Sequence, residues 1–237
     1  MVSKVGNTNM FEELIIAPEE RSIFEKYIKL KGVYLHKQVY DILLEANNGQ
    51  KITYSELSSI IRYDKRLRDT LYIYLATAEE YLRALLCSKY DVNENCKTFK
   101  GHCYNPLNEA LIEKNDIDNS YLYSKLEPDF ADLMRICLER DLISISTQAK
   151  KHIKDLRNNT MHHSILIFGK AVTIKTAEEN FVSLENQLND FVQILPEDFK
   201  KGFFSAIERI TGDNSKLNVK RFYLEVDYGS EKICVKR

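Results

Sequence analysis

Residues 64–90, DKRLRDTLYIYLATAEEYLRALLCSKY, contain the clearest helical pattern in the chain and determine its predicted fold class. Charged residues such as Arg66, Asp69 and Glu80 fall mostly on one side of this pattern. The apolar residues recur every three or four positions and form one stripe: Leu67, Leu71, Tyr74, Leu75, Ala78, Leu82, Leu85 and Leu86. The stretch therefore predicts a long amphipathic helix with one buried face.

Shorter helical patterns lie on both sides of this stretch. Gly32 and the turn Asn47–Gly49 end the first two, because glycine and asparagine favour helix ends. Thr53 and Glu56 have the spacing of a capping box that opens a helix to Ile61. Outside the long stretch, helices are predicted over residues 19–30, 33–44, 53–61, 128–141, 147–163 and, from a second capping box at Thr176 and Glu179, 176–192.

Two segments have other patterns. Residues 164–176 hold two apolar pieces around Gly169, which predicts either a short hairpin or an irregular excursion. Apolar residues alternate on both sides of the turn Tyr228–Ser230, which predicts a C-terminal β-hairpin. We therefore expect a mainly α fold, a helical bundle with a small C-terminal β-hairpin. Its three predicted parts are a helical segment 1–62, a helical core 63–200 and an extension 201–237.

Composition favours a helical protein with a core of ordinary size. The 237 residues are 44% apolar, with only 8 Gly and 4 Pro. The net charge of −1 gives no overall attraction to nucleic acid, so any RNA binding has to come from local basic patches. No apolar run has the length of a membrane span, and the N-terminus lacks the apolar region of a signal peptide. Together with an odd number of cysteines (5), this predicts a cytoplasmic protein with reduced thiols and no membrane contact.

One cluster has the residue types of a zinc site but not the number of ligands. Cys96, His102 and Cys103 lie close together in sequence. A structural zinc site needs about four ligands in paired short spacings. We therefore expect no metal and no cofactor.

The stretch RNNTMHH, residues 157–163, concentrates residues that can perform acid–base chemistry. In a helix Asn158 lies four positions before His162, and Asn159 four before His163, so each amide can orient an imidazole ring. Arg157 lies five positions before His162, or about 140° around a regular helix. The two side chains therefore do not share one face, and a second copy of the motif across a symmetric interface could supply the missing group.

These residue types suit metal-independent cleavage of RNA. The reaction needs a base for the 2′-hydroxyl, an acid for the leaving 5′-oxygen and a cation for the charge on the phosphate. Imidazole titrates near neutral pH and guanidinium offers a planar fork of donors. The preceding lysines Lys150, Lys151 and Lys154 are candidates for RNA binding. Residue types alone favour a plainer interpretation, a polar helix turn with two structural histidines.

Sequence resemblance points to a family. Arg157-Asn158 followed by His162-His163 resembles the signature of the HEPN superfamily, an arginine and a histidine separated by four to six residues with a polar residue after the arginine. Upstream, DKRLR (64–68) and EEYLR (79–83) resemble the Asp-x-x-Leu-Arg and Glu-x-x-Leu-Arg patterns of its Abi-like, abortive-infection branch. The resemblance covers roughly residues 34–168.

This resemblance implies a four- or five-helix core, a homodimer with both motifs at its interface, and a metal-independent endoribonuclease of the toxin type used in phage defence. It implies that Arg157 binds phosphate, that His162 is the general acid/base and that Asn158 supports them. His163 is a secondary candidate, because a five-residue spacer also occurs in the family.

Other features leave alternatives open. Glu79 and Arg83 are either secondary site residues lining the same cleft or an intrahelical ion pair. HEPN toxins silenced by a nucleotidyltransferase have a tyrosine two positions after the histidine, where this chain has Ser164. Control by AMP transfer to that position is therefore not expected, although another antitoxin, protein or RNA, remains open. The alternatives to an enzyme are a catalytically inactive RNA- or nucleotide-binding dimerisation module and a helical scaffold for protein contacts.

Overall fold

The structure, a computed structural model, describes residues 11–89, 129–139, 141–162, 164–212, 226–228 and 231–233. Helices dominate these ranges, which confirms the prediction of a mainly α protein. After a 3-10 turn at Pro18–Glu20, the helices within the described ranges are α1 (Arg21–Lys31), α2 (Val33–Ala46), α3 (Tyr54–Lys89), α4 (Phe130–Glu139), α5 (Thr147–Met161), α6 (Ile174–Val192) and α7 (Glu197–Gly212).

Strands are short and pair in twos. β1 (Leu14–Ile15) runs parallel to β2 (Ile52–Thr53), with Leu14 opposite Ile52. β3 (Val226–Tyr228) runs antiparallel to β4 (Glu231–Ile233). The turn between β3 and β4 lies outside the described residues, so the predicted hairpin as a unit stays a prediction.

The two helices predicted on either side of residues 62–63 form a single helix, α3, of 36 residues. Its start matches the predicted capping box: the Thr53 N–H donates to Glu56 Oε2 at 2.7 Å, and the Glu56 N–H donates to Thr53 Oγ1 at 3.2 Å. The predicted break at residues 62–63 is wrong, since no glycine or proline occurs between Tyr54 and Lys89 to end the helix. The predicted apolar stripe is largely buried, as at Leu67, Leu71, Ala78, Leu75, Leu82 and Leu86.

The starts of two later helices depend on hydroxyl caps. Ser146 Oγ accepts the N–H of Ala149 at 3.0 Å and so caps the start of α5. The predicted start of α6 at Thr176 is wrong by a few residues. Thr173 and Thr176 instead cap reciprocally, because the N–H of each donates to the hydroxyl of the other at 3.2 and 3.3 Å. The helix therefore begins at Ile174.

Helix α7 was absent from the predicted helices. Its signals in the sequence are Pro196 followed by two acidic residues, and an apolar set at helical spacing. That set is buried at Phe203, Phe204, Ile207 and Ile210. The predicted segment limits at 62/63 and 200/201 fall inside α3 and α7, and the division into three segments stays a prediction.

The described residues divide into two compact units. Unit 1 takes those within 1–71, 159–186 and 204–237, and unit 2 those within 72–158 and 187–203. Unit 1 contains an edge-to-face cluster in which Phe11 contacts Phe24 and Tyr40, and Phe24 contacts Tyr54, with ring centroids 5.2–5.7 Å apart. In unit 2 the ring of Phe203 packs against Tyr74 at 5.1 Å and against Phe191 at 5.7 Å.

Candidate functional site

The predicted catalytic histidine follows the last residue of a helix. α5 ends at Met161, and His162 lies in the next turn with an exposed side chain. Arg157 and Asn158 lie in the final turns of α5 and are half-buried. Arg157 and Asn158 belong to unit 2 and His162 to unit 1. The secondary candidate His163 lies outside the described residues.

Exposure separates His162 from the other described histidines. His36 is buried, and its Nδ1 lies 2.9 Å from the carbonyl oxygen of Gly32; burial lowers its pKa. His152, which sequence reasoning did not select, has its Nδ1 2.6 Å from Asp190 Oδ2. Of the three histidines that the structure describes, His162 is the exposed one.

A polar cluster in unit 2 engages His152 from both sides. Its Nε2 lies 2.6 Å from the amide nitrogen of Gln148, and Gln193 donates to the second oxygen of Asp190 at 2.9 Å. Each ring nitrogen therefore has a partner. We interpret His152 as a link between α5 and α6 within unit 2, not as a proton-transfer group.

The predicted RNA-binding lysines share one face of α5. Lys150, Lys154 and Arg157 have the spacing i, i+4 and i+7, and Lys151 lies beside them. Lys151 and Lys154 are exposed, whereas Lys150 is half-buried. We call Lys150, Lys151, Lys154 and Arg157 the basic face of α5. It presents positive charge along about two turns of one helix.

Arg157 differs from the lysines in one respect. Its Nε is buried and has no hydrogen-bond partner within the described part of the chain. A buried N–H without an acceptor costs roughly 1–3 kcal/mol. Because solvent does not reach that atom, it is not itself a contact point for a ligand.

After His162 the chain does not form the hairpin that was one of two predictions. Residues 164–171 are irregular, and we call them the anchored segment. Two hydrogen bonds close turns within it: the N–H of Gly169 donates to Ile165 O at 3.0 Å, and the N–H of Ala171 donates to Phe168 O at 2.9 Å. The side chains of Ile165, Leu166, Ile167 and Phe168 are all buried. The alternative prediction, an irregular excursion, is confirmed.

The carboxylate of Asp64 in α3 binds backbone N–H groups of this segment. One oxygen, Oδ1, accepts the N–H of Leu166 at 2.6 Å and the N–H of Ile167 at 3.1 Å. The other, Oδ2, lies 3.2 Å from the guanidinium of Arg68. Asp64 is only 2% exposed, and burial raises its pKa from 3.8 to about 6, although Arg68 and the two amides favour the carboxylate.

Two amide side chains bind the carbonyl groups of the same segment. Gln38 of α2 donates from Nε2 to the oxygens of Gly169 and Ala171, both at 2.9 Å. Asn180 of α6 donates to Phe168 O at 3.0 Å. Buried backbone groups outside helices and sheets need such partners, so these side chains stabilise the irregular backbone of the segment. Nothing in the local sequence marks Gln38 or Asn180 for this role.

For Asp64, by contrast, the sequence does contain a signal of a buried polar contact. It lies three positions before Leu67 and seven before Leu71, on the apolar stripe of α3. A carboxylate on a buried face needs a partner, and the pattern does not reveal which one.

The secondary candidates Glu79 and Arg83 form an ion pair on α3. Arg83 donates to Glu79 Oε1 at 2.8 Å, and both side chains are partly buried. This matches the interpretation as an intrahelical pair. A place for them in a substrate cleft stays a prediction.

Neither a metal cluster nor a membrane-spanning helix occurs within the described residues. They contain no group of three or more His, Cys, Asp or Glu side chains placed to hold a metal ion. None of the described helices has the length and apolar character needed to cross a membrane. Cys96, His102 and Cys103 lie outside these residues. Comparison of the chain with protein-family models, with curated proteins and with solved structures found no match.

Proposed function

We propose that this chain is a metal-independent endoribonuclease that cleaves RNA through attack of a 2′-hydroxyl on the adjacent phosphodiester. The observation that carries the proposal is the position of His162, which is exposed directly after α5 and lies two positions before the anchored segment. A proton-transfer group must reach its substrate and also keep a defined place. Exposure meets the first need, and the hydrogen bonds of the anchored segment to Asp64, Gln38 and Asn180 support the second.

In the proposed reaction the 2′-oxygen forms a bond to phosphorus while the bond from phosphorus to the 5′-oxygen breaks. A base takes the 2′-hydroxyl proton, and an acid gives a proton to the leaving 5′-oxygen. The products are a 2′,3′-cyclic phosphate and a 5′-hydroxyl. His162 is the proton-transfer group, Arg157 stabilises charge on the phosphoryl oxygens, and Asn158 supports them. In a homodimer, two copies of His162 would provide one base and one acid.

RNA binding is assigned to the basic face of α5. The half-buried Arg157 and the exposed side chains of Lys151 and Lys154 support contacts to phosphate. The resemblance to the Abi-like branch of the HEPN superfamily supports the rest of the proposal: a toxin-like role in abortive infection or phage defence, a cytoplasmic homodimer, and restraint by a protein or RNA antitoxin.

The test is cleavage of total RNA by the purified protein in EDTA, comparing wild type with His162→Ala. We expect the variant to lose at least the ~10²–10⁴-fold typical of general acid–base catalysis. His152→Gln is the matched control, since both of its ring nitrogens already have partners, and it should cleave like wild type. DNA of the same sequence should be spared, because it lacks the 2′-hydroxyl.

The product ends decide the mechanism. The proposal requires 5′-hydroxyl ends that polynucleotide kinase labels directly, and cyclic phosphates at the 3′ side. A requirement for Mg²⁺ or Mn²⁺, or equal cleavage by His162→Ala, would contradict it. RNA binding without cleavage would instead favour the alternative, an inactive RNA- or nucleotide-binding dimerisation module.

Neutralising the basic face separates binding from chemistry. Lys151→Gln with Lys154→Gln should raise KM and flatten the salt dependence, because fewer counterions are released from the RNA. The product ends should stay the same. Lys175→Gln, an exposed lysine of α6, is the control and should have a wild-type KM. Equal KM values for all three proteins would remove the basic face from the proposal.

A further inference from the structure

The end of α5 and the turn after it expose two polar side chains. Of the six described residues 157–162, Asn159 and His162 are exposed, whereas Thr160 is buried and the other three are half-buried. The two exposed residues are three positions apart, a spacing that makes their side chains neighbours on one helix face. Both belong to unit 1. A molecule that reaches His162 therefore also comes close to the amide of Asn159.

A backbone hydrogen bond keeps the two residues close beyond the end of the helix. The N–H of Ser164 donates to the carbonyl oxygen of Asn159 at 3.2 Å, which closes a turn over residues 159–164. α5 itself ends at Met161, and His162 lies inside the closed turn. The bond uses the backbone of Asn159, so its side-chain amide stays at the surface. The turn therefore holds an imidazole and an amide side by side.

An exposed asparagine suits the recognition of a nucleobase better than the binding of a phosphate. Its amide carries no charge and has a donor and an acceptor next to each other. Phosphate binding depends on cations, which the basic face of α5 supplies. Adenine presents the complementary pair, an acceptor at N7 and a donor at the N6 amino group, and an asparagine amide can bind both at once. In single-stranded RNA the base edges are open to such contacts.

We infer that Asn159 contacts a base beside the cleaved bond of single-stranded RNA and selects adenine at that position. The inference rests on the proposed cleavage of RNA and adds a specificity-determining residue to it. His162 has to come within hydrogen-bond reach of the 2′-hydroxyl or of the leaving 5′-oxygen. Neighbours at the spacing of Asn159 and His162 have Cβ atoms about 5–6 Å apart, so the amide can reach a base of the same two nucleotides. Asn158, the amide that the family resemblance selects, is half-buried.

Single-stranded oligonucleotides with one unmodified ribonucleotide test the inference. All other sugars carry 2′-O-methyl groups, so a 2′-hydroxyl can attack at one bond only. The bases on the 5′ side and on the 3′ side of that bond are varied in turn among adenine, cytosine, guanine and uracil. At one of the two positions, kcat/KM of wild type in EDTA should be about 5–150-fold higher with adenine, the discrimination expected of a two-point contact to a base.

Variants of Asn159 show whether its amide makes the contact. Asn159→Ala should lose the preference for adenine and keep the wild-type activity on the other bases. Asn159→Asp keeps the size of the side chain but only accepts hydrogen bonds, so the preference should move to cytosine, whose N4 amino group donates. Asn186→Ala removes an exposed amide of α6 in the same unit, and this control should keep the wild-type preference.

Cleavage by wild type without a preference for adenine overturns the inference, as does a preference that Asn159→Ala retains. An equal loss on all four bases in Asn159→Ala also overturns it, because Asn159 would then only position His162. Binding of fully 2′-O-methylated strands with and without adenine is measured as well, since these strands cannot be cut. If wild type cuts nothing but binds adenine strands more tightly through Asn159, the proposed enzyme fails and the base contact stands. Wild type that neither cuts RNA nor prefers adenine strands contradicts both.

Discussion

Asp64 offers the most direct test of how the chain holds the segment after His162. Its carboxylate is buried and accepts two backbone N–H groups, from Leu166 and Ile167, while its other oxygen faces Arg68. Asp64→Asn keeps an oxygen for the two amides and removes the charge. Asp64→Ala removes the acceptor as well. Since each buried unpaired N–H costs roughly 1–3 kcal/mol, the alanine variant should be about 2–6 kcal/mol less stable than the asparagine variant.

The titration of Asp64 predicts how wild type and Asp64→Asn compare at different pH. Burial raises the pKa in the folded protein to about 6, from 3.8. Between these values the folded state binds more protons than the unfolded state, so the stability contributed by this group is full below about pH 4 and is lost as the pH rises through about 6. At about 1.4 kcal/mol per pKa unit, the loss amounts to about 3 kcal/mol. Asparagine does not titrate, so Asp64→Asn should not show this loss of stability.

Urea unfolding followed by circular dichroism measures this difference at several pH values from about 4 to 7, where linkage places the change. The free energy of unfolding of wild type minus that of Asp64→Asn should fall by about 3 kcal/mol over this range. Asp69→Asn is the control on the same helix, because the Asp69 side chain is 62% exposed and pairs with Lys65 at the surface. A constant difference for Asp64→Asn, or an equal change for Asp69→Asn, would refute the argument from burial.

Three further predictions concern other parts of the fold. Gly169 has φ +54° and a Cβ there would meet Asn180 at 3.3 Å, so Gly169→Ala should lower the free energy of unfolding by about 1–3 kcal/mol in urea titrations. Burial raises the pKa of the Cys137 thiol to about 12, so iodoacetamide at mildly alkaline pH should modify it only after unfolding, as mass spectrometry of the peptide would show. His152→Ala loses the bond to Asp190 and should cost about 1 kcal/mol in thermal unfolding, because both side chains are only partly buried; an unchanged melting temperature would contradict this.

Sequence periodicity predicted the helices well where burial is one-sided. Leu67, Leu71 and Leu82 recur as a buried face must, and the structure buries all three. The predicted break at residues 62–63 is wrong because no residue there ends the helix. Asp64 lies on the buried face of α3, where its carboxylate needs partners. Here the N–H groups that it binds belong to Leu166 and Ile167, about a hundred residues away.

The candidate site was predictable only in part, for a similar reason. The Arg157–His162 stretch is visible because its residue types lie together in sequence. The groups that hold the anchored segment after it are scattered along the sequence. Gln38, for example, lies 131 positions before Gly169, whose carbonyl it binds. A hydrogen bond from a side chain to distant backbone leaves no local pattern, because any polar residue of suitable length can make it. Such partners become visible only once the chain is folded.

The anchored segment explains how an exposed histidine can have a defined position. Four buried apolar residues, Ile165–Phe168, pack into the core of unit 1 and begin three positions after His162. Because that segment is neither helix nor sheet, its backbone groups depend on side chains, and Asp64 supplies a buried charge for the purpose. Burying this charge costs free energy, and Arg68 and the two N–H groups that Asp64 accepts offset part of that cost. If the proposed chemistry holds, loosening these bonds should lower kcat more than it weakens RNA binding, since phosphate contacts are assigned to the basic face of α5 and proton transfer to His162.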